Sequence, residues 1–211
     1  MPGHAARAVP WGRVVLAAGL VVLLLDLVRR DPWGLWPLQG AAAGLVAGST
    51  AWCFDEPLAH LVDTAPRGVA WQAAARASGV LLPALAWCLG VVRLGGDGTF
   101  GHPRAVLLQG LAAVVVGAGV ACWRRARGEA TPGLGFAAVV VPVCAAWALV
   151  RPFGRHEVVF PYGTTTPVWW QVSGATWGTA GALAALLLAA ALAEAPWWRP
   201  HARPRFRGRR G

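Results

Sequence analysis

Lysine is absent from the 211 residues; all nineteen basic side chains are arginine. A phosphate-binding P-loop needs G-x-x-x-x-G-K-[ST], and Schiff-base or general-base lysine chemistry needs an amine. An intrinsic ATPase and much covalent enzymology are therefore excluded. Charge is also scarce: 13% of the residues are charged and 56% are hydrophobic, against about 25% and about 45–50% in an ordinary soluble domain. No polar stretch is long enough to build a separate water-soluble core, so one domain is expected over residues 1–195, with 196–211 as a basic tail. The four cysteines, Cys53, Cys88, Cys122 and Cys144, show neither C-x-x-C nor Cys/His ligand spacing. No disulfide framework, metal site or cofactor is expected.

What the chain does have is apolar runs. A bilayer core needs about 20 mostly apolar residues per helix, and six segments qualify: Trp11 to Val28, Leu35 to Phe54, Ser78 to Val92, Ala105 to Trp123, Gly133 to Val150 and Trp170 to Ala193. The expected fold is all-α, a polytopic membrane bundle of about six transmembrane helices in the cell membrane. The first run ends at Asp26, Arg29 and Arg30 with no small-residue cleavage site, so it reads as a retained helix. With the N-terminus inside, thirteen arginines fall on the cytoplasmic side (Arg7, Arg13, Arg67, Arg76, Arg124, Arg125, Arg127 and six from Arg199 to Arg210) and six outside. The positive-inside rule thus predicts both termini in the cytoplasm. Tryptophans at the span ends, such as Trp11, Trp52, Trp123 and Trp170, read as interfacial anchors. Gly40, Gly44 and Gly48 recur every four residues, as do Gly174 and Gly178, and small residues at that spacing let helices approach closely. Pro83 and Pro142, inside the third and fifth spans, predict kinks. The arginine-only, Ala/Gly/Val/Leu/Pro-rich composition points to a GC-rich, actinobacterial genome.

Between the second and third spans, Phe54 to Ala77 opens on Asp55 and Glu56, repeats Leu58, Leu61 and Val62 at helical spacing, breaks at Asp63, Thr64 and Pro66, and resumes from about Arg67. An amphipathic helix on the membrane surface is expected there. It reads equally as a plain connector and as an element that an intracellular partner pushes on. The six spans, the inward termini, the acidic-Pro opening Asp55, Glu56, Pro57 and the later Thr64, Ala65, Pro66, Arg67 resemble the membrane subunits of type-2 ABC exporters, particularly small actinobacterial permease-like proteins. That resemblance implies a permease subunit served by a separate ATP-binding subunit. The ATPase would dock at Asp55, Glu56, Asp63, Arg67 and Arg76, with Arg124 to Glu129 nearby. The chain departs from larger members in its very short external loops. A structural or regulatory membrane protein that transports nothing is the alternative.

The remaining polar groups suggest no chemistry. Asp26 sits three and four residues before Arg29 and Arg30, which predicts a local ion pair. Arg155, His156, Glu157, Tyr162 and Thr164 to Thr166 read as a solvated external loop, without H-E-x-x-H spacing; with Pro161, Pro167 and Trp169 to Trp170, the alternative is a loop that dips into the outer leaflet and shapes an exit path. His60, His102 and His201 do not converge, and Ser78 and Ser173 lack a G-x-S-x-G turn; no enzyme is expected. The arginine-rich tail suits an anionic leaflet and is too poor in interleaved aromatics for nucleic acid. A homo- or hetero-oligomer is expected, because a small apolar bundle needs a second subunit to enclose a path.

Overall fold

A computed structural model describes residues 9–56, 69–152 and 158–193. Among them every regular element is helical: α1 (Trp11–Arg30), α2 (Pro32–Leu35), α3 (Pro37–Trp52), α4 (Val69–Gly98), α5 (Pro103–Ala126), α6 (Pro132–Val150) and α7 (Pro167–Ala193). Proline opens α2, α3, α5, α6 and α7. The first helical position is where its missing N–H costs nothing and its fixed φ favours the helix.

Five helices, α1, α4, α5, α6 and α7, are long and apolar enough to cross a membrane. The second expected span is divided: Pro37 starts a new helix after the short α2, leaving α3 with 16 residues, about 24 Å at 1.5 Å per residue. That falls short of a hydrocarbon core of about 30 Å. The long helices run alternately up and down. The α1 N-terminus, α3 C-terminus and α6 N-terminus meet at one end, here called proximal; the α3 N-terminus, α4 C-terminus and α7 N-terminus meet at the other, distal end.

Helices α3 and α5 form the centre. Helix α3 touches α1, α4, α5 and α6, and buries twelve of its sixteen residues. The apolar stretch of α5 is 61% buried and that of α7 only 11%, so α7 lies at the rim. Apolar side chains face outward, including Leu81, Leu85 and Leu89 on α4 and Leu134, Val139 and Val143 on α6. Small residues and fully buried Gln39 and Gln109 lie inside. This inversion fits a lipid solvent, in which a buried polar group must be satisfied within the protein.

Glycine sets the closest approaches. A Cβ on Gly40, Gly44 or Gly48 would fall on Ala148, Cys144 and Ala137 of α6, at 2.5, 2.8 and 3.0 Å respectively, so the expected α3 stripe faces α6. Gly174 and Gly178 differ: a Cβ there meets no atom within 4 Å, so among the described residues neither seats a neighbouring helix. Helix α7 instead meets α5 through Gly119, against the Ala184 carbonyl, and Gly181, against Ala112. Within α4 the dihedral break falls at Gly95 (φ 66°, ψ −164°), beyond Pro83. Asp26 pairs with Arg30 at 3.2 Å and Arg29 at 3.9 Å. Trp170, expected as an interfacial anchor, is 2% exposed, because it closes the distal core.

Candidate functional site

The proximal end holds three of the expected docking residues, and it turns them inward. Asp55 follows the end of α3, is 7% exposed, and accepts the Gly133 N–H at 2.6 Å. An α-helix leaves its first amides without intrahelical acceptors, and here a carboxylate from another helix supplies one, where the α6 dipole also favours negative charge. Burial pushes the Asp55 carboxyl above its usual range, against the opposing pull of the Gly133 and Leu134 amides and of Arg13 and Arg76.

Glu56 pairs with Arg76 of α4, and its N–H donates to the Ala130 carbonyl at 2.8 Å. The Arg76 and Glu56 side chains are 3% and 15% exposed, too enclosed for a partner surface to grip. Asp55, Glu56 and Arg76 are therefore a latch joining α3, α4 and α6. Asp63 and Arg67, with half of the expected amphipathic segment, lie outside the described residues, as do Arg155 to Glu157 and the basic tail. Beside the latch, Arg124 pairs with Glu129 at 2.7 Å, and the Arg127 guanidinium sits 3.7 Å over the Trp123 ring.

The distal end contains a polar core that the sequence reading missed. Phe160, Pro161 and Tyr162, expected in a solvated loop, are buried; Tyr162 is fully enclosed and donates its hydroxyl to Gln109 Oε1. The Gln109 amide nitrogen donates to Ser173 Oγ at 3.0 Å, and that hydroxyl donates to the Val159 carbonyl at 3.1 Å. Trp177 donates to the same carbonyl at 2.8 Å, and Trp170 to the Thr164 carbonyl at 2.8 Å. The loop is thereby fastened to α5 and α7. On the other side, Gln39 of α3 donates to the Gly98 carbonyl at the end of α4, at 2.8 Å.

Rings continue the core outward. Phe100 lies 5.1 Å from Trp33, edge to face, and 6.4 Å from Trp170, which stacks on His102 at 5.0 Å. The turn carrying Phe100 joins α4 to α5 and places two successive residues at positive φ, Phe100 at 53° and Gly101 at 81°. For a bulky residue that conformation is costly, and burial of the Phe100 ring between the two indoles offsets the cost. One signal could have exposed this core: Gln39 and Gln109 stand inside apolar spans, where an unpaired amide costs several kcal/mol (roughly 2–7), so each demands a partner. The chain matches no family model, no curated protein and no solved structure.

Proposed function

We propose that the chain is a multi-pass subunit of the cell membrane, its proximal end cytoplasmic, acting as the permease-like component of an ABC-type transporter with a separate ATPase. The observation that carries the reading is the latch. Residues 57–68 leave α3 directly after Asp55 and Glu56 and rejoin the described chain at α4, which bears Arg76. Because Asp55 caps α6 and Glu56 holds α4, a force on the intervening segment reaches both helices through hydrogen bonds and an ion pair. The cytoplasmic assignment rests on arginine counted over the whole sequence: the described arginines divide evenly, Arg13, Arg76, Arg124, Arg125 and Arg127 at the proximal end and Arg29, Arg30, Arg93, Arg104 and Arg151 at the distal end, and the excess comes from Arg7, Arg67 and the six from Arg199 to Arg210. Since no P-loop lysine exists, hydrolysis belongs to the partner.

The latch residues are poor probes of docking, because replacing them would disturb the bundle. Reversals within the segment, Asp63→Arg and Arg67→Glu, are better. The tagged protein, extracted from native membranes, is expected to co-purify with an ATP-binding subunit, and both reversals are expected to reduce recovery without altering its elution volume. Absence of an ATPase from the wild-type sample would exclude the transport reading. A structural or regulatory protein would then be favoured by the α7 face at Gly174 and Gly178, where an added Cβ meets no described residue within 4 Å.

A further inference from the structure

Two cavities adjoin at the distal end and share the walls formed by Gly101 and His102. The first, about 540 Å³, is lined by Asp97, Phe100 and Thr165 and by Trp33, which is largely exposed. The second, about 390 Å³, is lined by Arg104, Gln171 and Trp170, and by Pro103 and Pro167, the first residues of α5 and α7. Among the described residues neither Asp97 nor Arg104 forms an ion pair.

The two halves have opposite chemistry. A carboxylate beside an exposed indole suits an ammonium group, held by charge and by the ring quadrupole. An arginine beside the first turns of two long helices suits an anion, because both macrodipoles point their positive ends at the cavity. His102 stands between the halves, stacked on Trp170 and within 3.3 Å of the Thr165 carbonyl. The left-handed backbone at Phe100 and Gly101 turns the chain from Asp97 back to Arg104, so the strained turn is what sets the two charges on one groove.

We propose that this groove binds a zwitterion carrying an ammonium and a phosphate group. The ammonium lies between Asp97 and the exposed Trp33 indole, and the phosphate lies at Arg104 and the starts of α5 and α7. An aminophospholipid headgroup and a free amino-alkyl phosphate share this chemistry. The site does not depend on an ATPase partner.

The test uses the full chain, delipidated in detergent. Titration with phosphoethanolamine, inorganic phosphate and ethylammonium is followed by calorimetry, and titration with phosphatidylethanolamine or phosphatidylglycerol by native mass spectrometry. The zwitterion is expected to bind at least about tenfold more tightly than either half alone, and Asp97→Asn and Arg104→Gln each to weaken it by about tenfold or more, as loss of a charge-assisted contact implies. Both side chains are exposed, so the variants should keep the wild-type elution volume. Binding of phosphoethanolamine without the lipid marks a soluble ligand; binding of phosphatidylethanolamine over phosphatidylglycerol, without the soluble headgroup, marks a lipid. The proposal is overturned if neither zwitterion binds, if phosphate alone binds as well, or if both variants bind like wild type.

Discussion

Replacing Gly44 with leucine should destabilise the bundle, while the same change at Gly178 should not. A Cβ at Gly44 would come within 2.8 Å of the Cys144 Cβ, 3.1 Å of the Val140 carbonyl oxygen and 3.2 Å of the Val141 Cα. Ordinary carbon contacts lie at about 3.5–4.0 Å, and two of these three atoms belong to the α6 backbone, which cannot rotate away as a side-chain tip could. Alanine alone forces α6 outward by several tenths of an ångström, and leucine adds three more carbons to the same seam. Overpacking of this kind costs about 1–3 kcal/mol, so Gly44→Ala is expected at about 1 kcal/mol and Gly44→Leu at about 3, roughly a hundredfold in the folded population. At Gly178 a Cβ meets nothing within 4 Å, and the change should stay within about 0.5 kcal/mol. Unfolding of the purified protein in mixed micelles, titrated with dodecyl sulfate, measures both. Equal midpoints for Gly44→Leu and Gly178→Leu would refute the assignment of α3, rather than α7, as the helix that uses its glycine stripe inside the chain.

Asp55→Ala should cost about 1–2 kcal/mol, as loss of a helix cap does, and speed hydrogen exchange at the Gly133 amide; Asp55→Asn, which keeps an oxygen acceptor, should cost less. Because burial holds the folded-state carboxyl above its ordinary range, the native state binds the proton first. Wild type should therefore lose stability relative to Asp55→Asn as pH rises from the usual carboxylate range through the raised value, measurable as a difference in unfolding midpoint across that window. Glu56→Gln or Arg76→Gln alone should cost about 3–5 kcal/mol by breaking a buried ion pair from one side, and the double variant should recover part of that loss in a thermal-unfolding cycle. Tyr162→Phe should cost about 1–3 kcal/mol by stripping Gln109 Oε1 of its donor, with faster hydrogen exchange over residues 158–166; unchanged exchange would show that the loop is held by its rings alone.

The helices were legible because lipid and proline both write plainly. Apolar runs mark the spans, and Pro37, Pro103, Pro132 and Pro167 stand within a few residues of the starts read from hydropathy. Local charge was legible too, since Asp26 and Arg30 are one helical turn apart. Two glycine stripes looked alike and behave differently, because spacing reports what a face permits and not which face turns inward. Burial of Asp55, Glu56 and Arg76 was hidden for a similar reason: a charged cluster beside a span reads as wet surface unless tertiary structure supplies its partners. Here the partners are the α6 amides and each other. The distal core escaped because its members are isolated, Gln109 and Ser173 lying on helices 64 residues apart in sequence, and because Phe160, Pro161 and Tyr162 form a run too short to register as a span.

The two ends differ in the forces that hold them, and one helix belongs to both. The proximal latch is made of charges, so pH and removal of single charges act there; the distal core is made of amides, hydroxyls and rings, which respond to shape. Helix α4 carries Arg76 at one end and Gly98, the acceptor of the Gln39 amide, at the other. A shift of α4 at the latch is therefore delivered to the turn that seats Phe100, unless the helix yields on the way. The place to yield is Gly95, whose φ of 66° and ψ of −164° lie in a region that only glycine adopts at little cost. Its position, between the last full turns of α4 and Thr99, whose hydroxyl donates to the Gly95 and Gly96 carbonyls, sets the distal turn off from the regular helix that carries Arg76.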